Sequence, residues 1–141
     1  MHILRLSPDA RYAVAGMRRL AGAWGGGRFL MVGDLAEAEK LPANFLSKIF
    51  QKLARRGLLA SRRGPGGGYA LAKPPADIFL ADILLAIQGD APLARQCLLS
   101  GVACAVVEPC VLHEKVARAQ DALVQALGSV ALADLLPGDK P

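Results

Sequence analysis

RRGPGGGYAL, residues 62–71, sets two arginines against four glycines and a proline before the chain closes on Tyr69 and Leu71. Glycine populates positive φ and brings backbone close to another surface with no Cβ in the way. On either side, Leu58–Ser61 and Gly68–Leu71 read as short strands, so the stretch predicts the tip of a β-hairpin. Arg62 and Arg63 place cations at that tip. An ordinary glycine-rich turn with stray arginines is the competing reading. A phosphate-binding nucleotide loop fits less well, because no Gly-Lys-Ser/Thr follows and no strand–helix alternation surrounds it.

Upstream of the hairpin the pattern is helical. Ser7-Pro8-Asp9 carries the signals of a helix start: a hydroxyl N-cap, proline at the first helical position and an acid in the first turn. Tyr12, Ala13, Ala15, Gly16, Leu20 and Trp24 then recur at helical spacing, and Gly25-Gly26-Gly27 ends the run. Tyr12 and Trp24 are expected to pack against helices. Phe29-Leu30-Met31 reads as a short strand. A second helix is expected over Asp34–Glu39, with Leu35 and Ala38 facing in, and Lys40-Leu41 forms a tight turn. Pro42 opens a third helix, with Phe45, Leu46, Ile49, Phe50 and Leu53 on its inner face. Gly57 stands where a left-handed C-cap is expected. Two helices joined by so short a turn are a helix-turn-helix, and the hairpin directly after it makes a winged-helix arrangement. In that arrangement the third helix enters the DNA major groove, while the wing touches phosphates or reaches the minor groove.

The charge agrees. Residues 1–75 carry 13 Lys and Arg against 4 Asp and Glu, a balance of +9; residues 76–141 carry 4 against 8, a balance of −4. A basic half joined to an acidic half suggests that one half meets a polyanion, although a solvated basic face would give the same numbers. The 141-residue chain is one domain's worth, or one small domain plus a dimerisation element. It is 53% hydrophobic but only 5% aromatic, which favours helices packed through Ala, Leu and Val. No apolar run is long enough to cross a membrane, and the N-terminus lacks a signal-peptide core, so a cytoplasmic protein is expected.

Pro74-Pro75 marks the end of the DNA-binding unit. The expected division is therefore residues 1–75 as the winged helix-turn-helix and 76–141 as a cysteine loop and dimerisation helices. IFLADILLAI, residues 78–87, reads as an apolar helix with Asp82 on its exposed side. From Cys110 to Leu127, Val111, Leu112, Val116, Ala119, Gln120, Leu123, Val124 and Leu127 trace the stripe of a long amphipathic helix. Such a stripe pairs with a second copy of itself or packs back on its own domain. Ala131–Leu136 adds a short helical turn.

Between these helices lie Cys97, Cys104 and Cys110, all the cysteines of the chain, within 14 residues. An odd count argues against a disulfide framework. Thiolates are soft ligands, and three together suit iron–sulfur chemistry or zinc. His113 lies three residues beyond Cys110, on the same helical face, so both side chains can reach one metal. Redox-active thiols without metal, or three small buried hydrophobes, are the other readings. His2 has no visible partner and reads as an unstructured terminal side chain.

Together these features resemble the IscR/NsrR-type (Rrf-type) winged-helix transcription regulators of bacteria. FLSKIFQKLARRGLLASRRGPGGGYALAKPP, residues 45–75, carries most of the likeness; LSPDARYAV resembles the family's first helix and SVALADLL its closing segment. The resemblance implies a mainly α fold with a small β-hairpin wing and a long C-terminal dimerisation helix. It implies a homodimer on an imperfect palindromic operator in double-stranded DNA, with Pro42–Arg56 as the recognition helix. Asn44, Phe45, Ser47 and Lys48 would face the groove, Asn44 suiting adenine and Lys48 guanine or phosphate. Lys52, Arg55 and Arg56 would neutralise phosphates. Arg63 resembles the wing's groove-inserted arginine, with Arg62, Gly66 and Gly67 completing the wing contact.

For the cysteines the resemblance implies an iron–sulfur cluster held by Cys97, Cys104 and Cys110. In one branch of the family the fourth ligand is a histidine three residues after the last cysteine, which His113 matches. In the nitric-oxide-sensing branch it is an aspartate from the partner subunit's first helix, a position that falls on Arg11 here, with Asp9 two residues earlier. A 2Fe–2S cluster is therefore favoured over 4Fe–4S. The chain departs from the family in two ways: six residues separate Cys97 from Cys104, one more than usual, and the loop is apolar (LLSGVA, AVVE). A further branch, concerned with cysteine metabolism, has no cluster and is controlled by a partner protein. The expected function is a DNA-binding regulator, a repressor, switched by its cluster; the alternative is control by thiol oxidation or a partner. No enzyme is expected, since no nucleophile–base set or paired carboxylates occur and Cys110/His113 are poorly placed to flank a substrate.

Overall fold

The computed structural model describes residues 6–88 and 111–137. Helix α1 spans Pro8–Gly22 and begins as the sequence dictates: the Ser7 hydroxyl accepts from the Ala10 amide at 3.2 Å, Pro8 follows, and Asp9 sits in the first turn. Such a cap contributes about 1 kcal/mol. Its inner stripe buries Ala10, Ala13, Gly16, Met17, Leu20 and Ala21. The helix ends a turn before the glycine run, so Trp24 lies beyond it in the connecting turn and is 46% exposed rather than packed. The expected Phe29–Met31 strand shrinks to one antiparallel bridge between Leu30 and Tyr69, whose amides and carbonyls pair reciprocally at 2.8 Å.

Helix α2, Val32–Glu39, starts two residues earlier than expected. Leu35 faces inward as expected, but Ala36 rather than Ala38 is buried beside it, and Ala38 is exposed. Its end is a Schellman motif: Leu41 N–H bonds to Ala36 C=O at 2.8 Å and Lys40 N–H to Glu37 C=O at 3.2 Å. Lys40 takes the left-handed conformation, φ 54°, that glycine usually supplies there. Helix α3 spans Ala43–Arg55, with Pro42 just outside it as N-cap. It closes with a second Schellman motif, Gly57 at φ 76° with Leu58 N–H on Leu53 C=O at 3.0 Å. Strands β1, Leu59–Arg62, and β2, Gly68–Leu71, pair antiparallel with Arg62 opposite Gly68.

The core gathers Met17, Leu35, Leu46, Ile49, Phe50 and Leu53 around α1, α2 and α3. Phe50 is fully buried, and its ring stands edge-on to Tyr69 at a 5.2 Å centroid distance. On its other side it abuts Gly16, where a Cβ would lie 2.6 Å from the ring. α1 and the wing therefore meet α3 through one side chain.

Residues beyond 75 share this core. Pro75–Asp77 forms a short 3-10 turn, and α4, Leu80–Gln88, packs on α1 and α3. The Asp82 carboxylate accepts from the Phe79 amide at 3.0 Å, holding the start of α4. Helix α5 spans Val111–Gly128 and buries none of its residues fully; Val111 is 70% exposed. Its end packs through Leu127 against Ala10, Leu80 and Leu84. The chain then pairs Ala131 with Phe79 and forms a 3-10 turn at Leu132–Leu135, the short helical turn expected. Leu132 is fully buried in the main core beside α1.

Gly16→Ala is expected to destabilise the fold by about 1–3 kcal/mol, because overpacking against the Phe50 ring outweighs alanine's better helix propensity. A lowered urea midpoint measures it. Leu132→Ala should lower the same midpoint, by about 2–5 kcal/mol in stability, although it lies far along the chain from the helix-turn-helix.

Candidate nucleic-acid interface

Helix α3 has two faces because its apolar residues are spaced to fill one. Leu46, Ile49, Phe50 and Leu53 are buried. Asn44, Lys48, Gln51, Lys52 and Arg55 are exposed, and Ser47 is half-buried. At 100° per residue, Phe45 stands about a quarter-turn from the centre of the buried stripe. It is 55% exposed, so its expected place on the inner face is corrected and its place on the outer side is kept. Gln51, which the sequence reading passed over, stands in the same outer row as Asn44 and Lys48, seven and three residues away. A helical projection centred on the buried stripe finds it.

The beginning of α3 has no side-chain cap, so its first backbone N–H groups are not satisfied by a capping side chain. Exposed Lys40 precedes it, and Arg56, also exposed, follows its end. These cations are exposed, and among the described residues no ionisable group is buried.

The wing is built as its glycines require. Gly64-Pro65-Gly66-Gly67 forms a turn closed by Gly67 N–H on Gly64 C=O at 2.9 Å. Proline second and glycine third, at φ 73°, are the type II pattern. Gly67 is buried under the loop, where a Cβ would lie 2.3 Å from Arg62 O. Gly68, at φ 129°, lets the Leu30 carbonyl approach, and a Cβ there would lie 2.2 Å from it.

The two wing arginines separate. Arg63 opens the exposed loop. Arg62 belongs to β1, below the tip, and its guanidinium lies 4.2 Å from the centroid of the Phe29 ring. The sequence gives no sign of this cation–π contact, which joins residues 33 apart and depends on the Leu30 bridge. On the opposite edge, Arg19 is paired with Glu39 and ties α1 to α2.

Of the four expected metal ligands, Cys97, Cys104 and Cys110 lie outside the described residues. His113 is half-buried in the first turn of α5. Among the described residues no group of three His, Cys, Asp or Glu comes together as a metal site. No described helix is long and apolar enough to cross a membrane.

Residues 6–138 match the model of the Rrf2 family, whose description is iron-dependent transcriptional regulator. The chain belongs to the Rrf2 family. An HTH-type transcriptional regulator of Neisseria meningitidis is 35% identical over 133 residues, covering 94% of this chain and 88% of that one. CymR (YrzC), the global cysteine regulator of B. subtilis, superposes with a TM-score of 0.77 at 29% identity, over 94% of this chain and 96% of its own. T. potens IscR superposes with a TM-score of 0.75 at 27% identity, over 94% and 86%. The winged-helix architecture and the family read from the sequence are thus borne out. As an Rrf2 member this chain is a transcriptional regulator rather than an enzyme.

Gly68→Ala is expected to break the Leu30–Tyr69 pair. Hydrogen exchange checks it: the Leu30 and Tyr69 amides lose protection, while those in the middle of α3 keep theirs.

Proposed function

We propose that this Rrf2 regulator is a homodimeric repressor that binds an imperfect palindrome in double-stranded DNA, its affinity switched by an iron–sulfur cluster. One observation carries the DNA-binding reading: the outer row of α3 is entirely polar or cationic and runs beside a glycine-built wing bearing Arg63. Asn44, Phe45, Ser47 and Lys48 contact the groove. Lys52, Arg55, Arg56 and Arg62 neutralise phosphates, and exposed Gly66 brings wing backbone close to the duplex, while Gly67, expected there too, lies buried beneath the loop and closes its turn. Residues 1–75 make the DNA contacts, while 76–141 sense and dimerise.

Two-fold pairing follows from α5. It presents Leu112, Val116 and Leu123 half-exposed and Val111 and Val124 more so, an apolar stripe that the described residues leave partly uncovered. A second α5 crossing the first buries it, and symmetric pairing matches a palindromic operator.

The donor set at the start of α5 suits a cluster. Cys97, Cys104 and Cys110 would supply sulfur ligands, and His113 a ring nitrogen from the first helical turn, matching the histidine branch that favours 2Fe–2S. The family's description as iron-dependent supports this. When bound, the cluster supplies a centre that changes charge and persistence with redox state, nitric oxide or iron–sulfur status. The chain's own part is mechanical. Residues 89–110 join α4, which packs on α3, to α5, the dimer helix. Holding that segment at its three cysteines and tying it to His113 of α5 biases the spacing of the two recognition helices. The likeness to CymR, a cysteine regulator, favours a second reading in which thiol oxidation or a partner protein does the switching.

Anaerobic purification, a visible spectrum and iron and sulfide assays decide between them. Wild-type protein is expected to be coloured, with iron per chain matching 2Fe–2S, and Cys104→Ala colourless with altered operator affinity. A colourless wild type that still binds its operator, with affinity responding to a thiol oxidant, would leave the second reading.

A further inference from the structure

We propose that Gln51 is a specificity-determining residue: with Asn44 it forms a pair of carboxamides that read two A·T base pairs at most about three steps apart, with Lys48 on a G·C pair between them. This rests on the reading of α3 as the helix lying in the major groove.

The buried stripe of α3 fixes the geometry. Leu46, Ile49, Phe50 and Leu53 point into the core, and the line directly opposite runs Asn44, Lys48, Gln51, Arg55, at helical spacings of four, three and four. Phe45 and Lys52 flank this line on one side and half-buried Ser47 on the other. Gln51 is therefore central, whereas Phe45 is lateral. Among the described residues neither Asn44 nor Gln51 has a hydrogen-bond partner, so both amide groups are free to be used.

Chemistry selects the ligand. A carboxamide donates to adenine N7 and accepts from the adenine amino group, while an ammonium donates to guanine O6 and N7. Being neutral, Gln51 releases no counterions, so its contribution depends on sequence rather than on salt. Spacing selects the register. Seven residues at 1.5 Å each place Asn44 and Gln51 about 10.5 Å apart along the axis. At about 3.4 Å per base pair along the duplex axis that is at most about three steps, because the groove winds about that axis. Arg55, at the end of the row, falls beyond this reading frame and is left for phosphate.

The test uses the full-length protein. A consensus is selected from a randomised duplex pool, and affinities are measured for every single-base variant at two salt concentrations, with wild type and Gln51→Ala. The expected result is a roughly ten- to hundredfold loss of discrimination at one A·T pair in the variant, with the salt slope unchanged. Asn44→Ala should relax a different A·T pair, at most about three steps away. Gln51→Lys should move the preference at the Gln51 position towards G·C. If Gln51→Ala keeps every preference, or weakens all sequences equally, this inference falls while the DNA-binding reading stands. If wild-type protein selects no sequence at all, both fall.

Discussion

Phe50 is the side chain through which the helix-turn-helix and the wing hold one another. It leaves α3 fully buried, presses its ring on Gly16 of α1 and meets Tyr69 of β2 edge-on. The backbone of Tyr69 in turn grips Leu30, which leads into α2. Two of these contacts need a residue without a side chain at the crossing point: Gly16 beneath the ring and Gly68 beside the Leu30 carbonyl. The helix and the wing that flank the proposed groove contacts are consequently one rigid unit. A displacement of α3 must carry the hairpin with it.

What could be read from the sequence was what local rules decide. Ser7-Pro8-Asp9 begins α1, Gly57 ends α3, and Gly64-Pro65-Gly66 turns the wing, because caps and turns depend on a few adjacent residues. Contacts between distant residues were not legible. Trp24 fits the helical period but falls past the end of α1; Ala38 fits an inward position that Ala36 takes instead. Phe45 fits either face, and packing decides, since Leu46, Ile49, Phe50 and Leu53 already fill the inward positions. The Phe29–Arg62 contact needs the bridge at Leu30 and leaves no periodic trace. For the candidate site, the resemblance alone points to Asn44, Phe45, Ser47 and Lys48, whereas Gln51 emerges only once the buried stripe is located. The cysteine ligands lie outside the described residues and rest on sequence alone.

Charge and apolar surface are distributed by element. Cations line α3 and the wing; α5 carries an apolar stripe in which Val111 and Val124 are exposed. α4 packs on α3 and α5 and is largely aliphatic itself. Close-packed aliphatic contacts transmit displacement poorly as gradual bending and better as a change between discrete packings. An order-imposing group near α5 would therefore act on α3 as a choice between arrangements.

The burial of Leu132 has a consequence for synthesis. The hydrophobic centre of the helix-turn-helix includes a side chain translated some 60 residues after the wing is complete, and the pairing of Phe79 with Ala131 is equally late. A nascent chain that has released its wing from the ribosome still lacks that packing, and its aliphatic core stays open to solvent and to other chains. Final closure of the helix-turn-helix is thus coupled to emergence of the helix proposed for pairing, which favours assembly of subunits that have both surfaces in place.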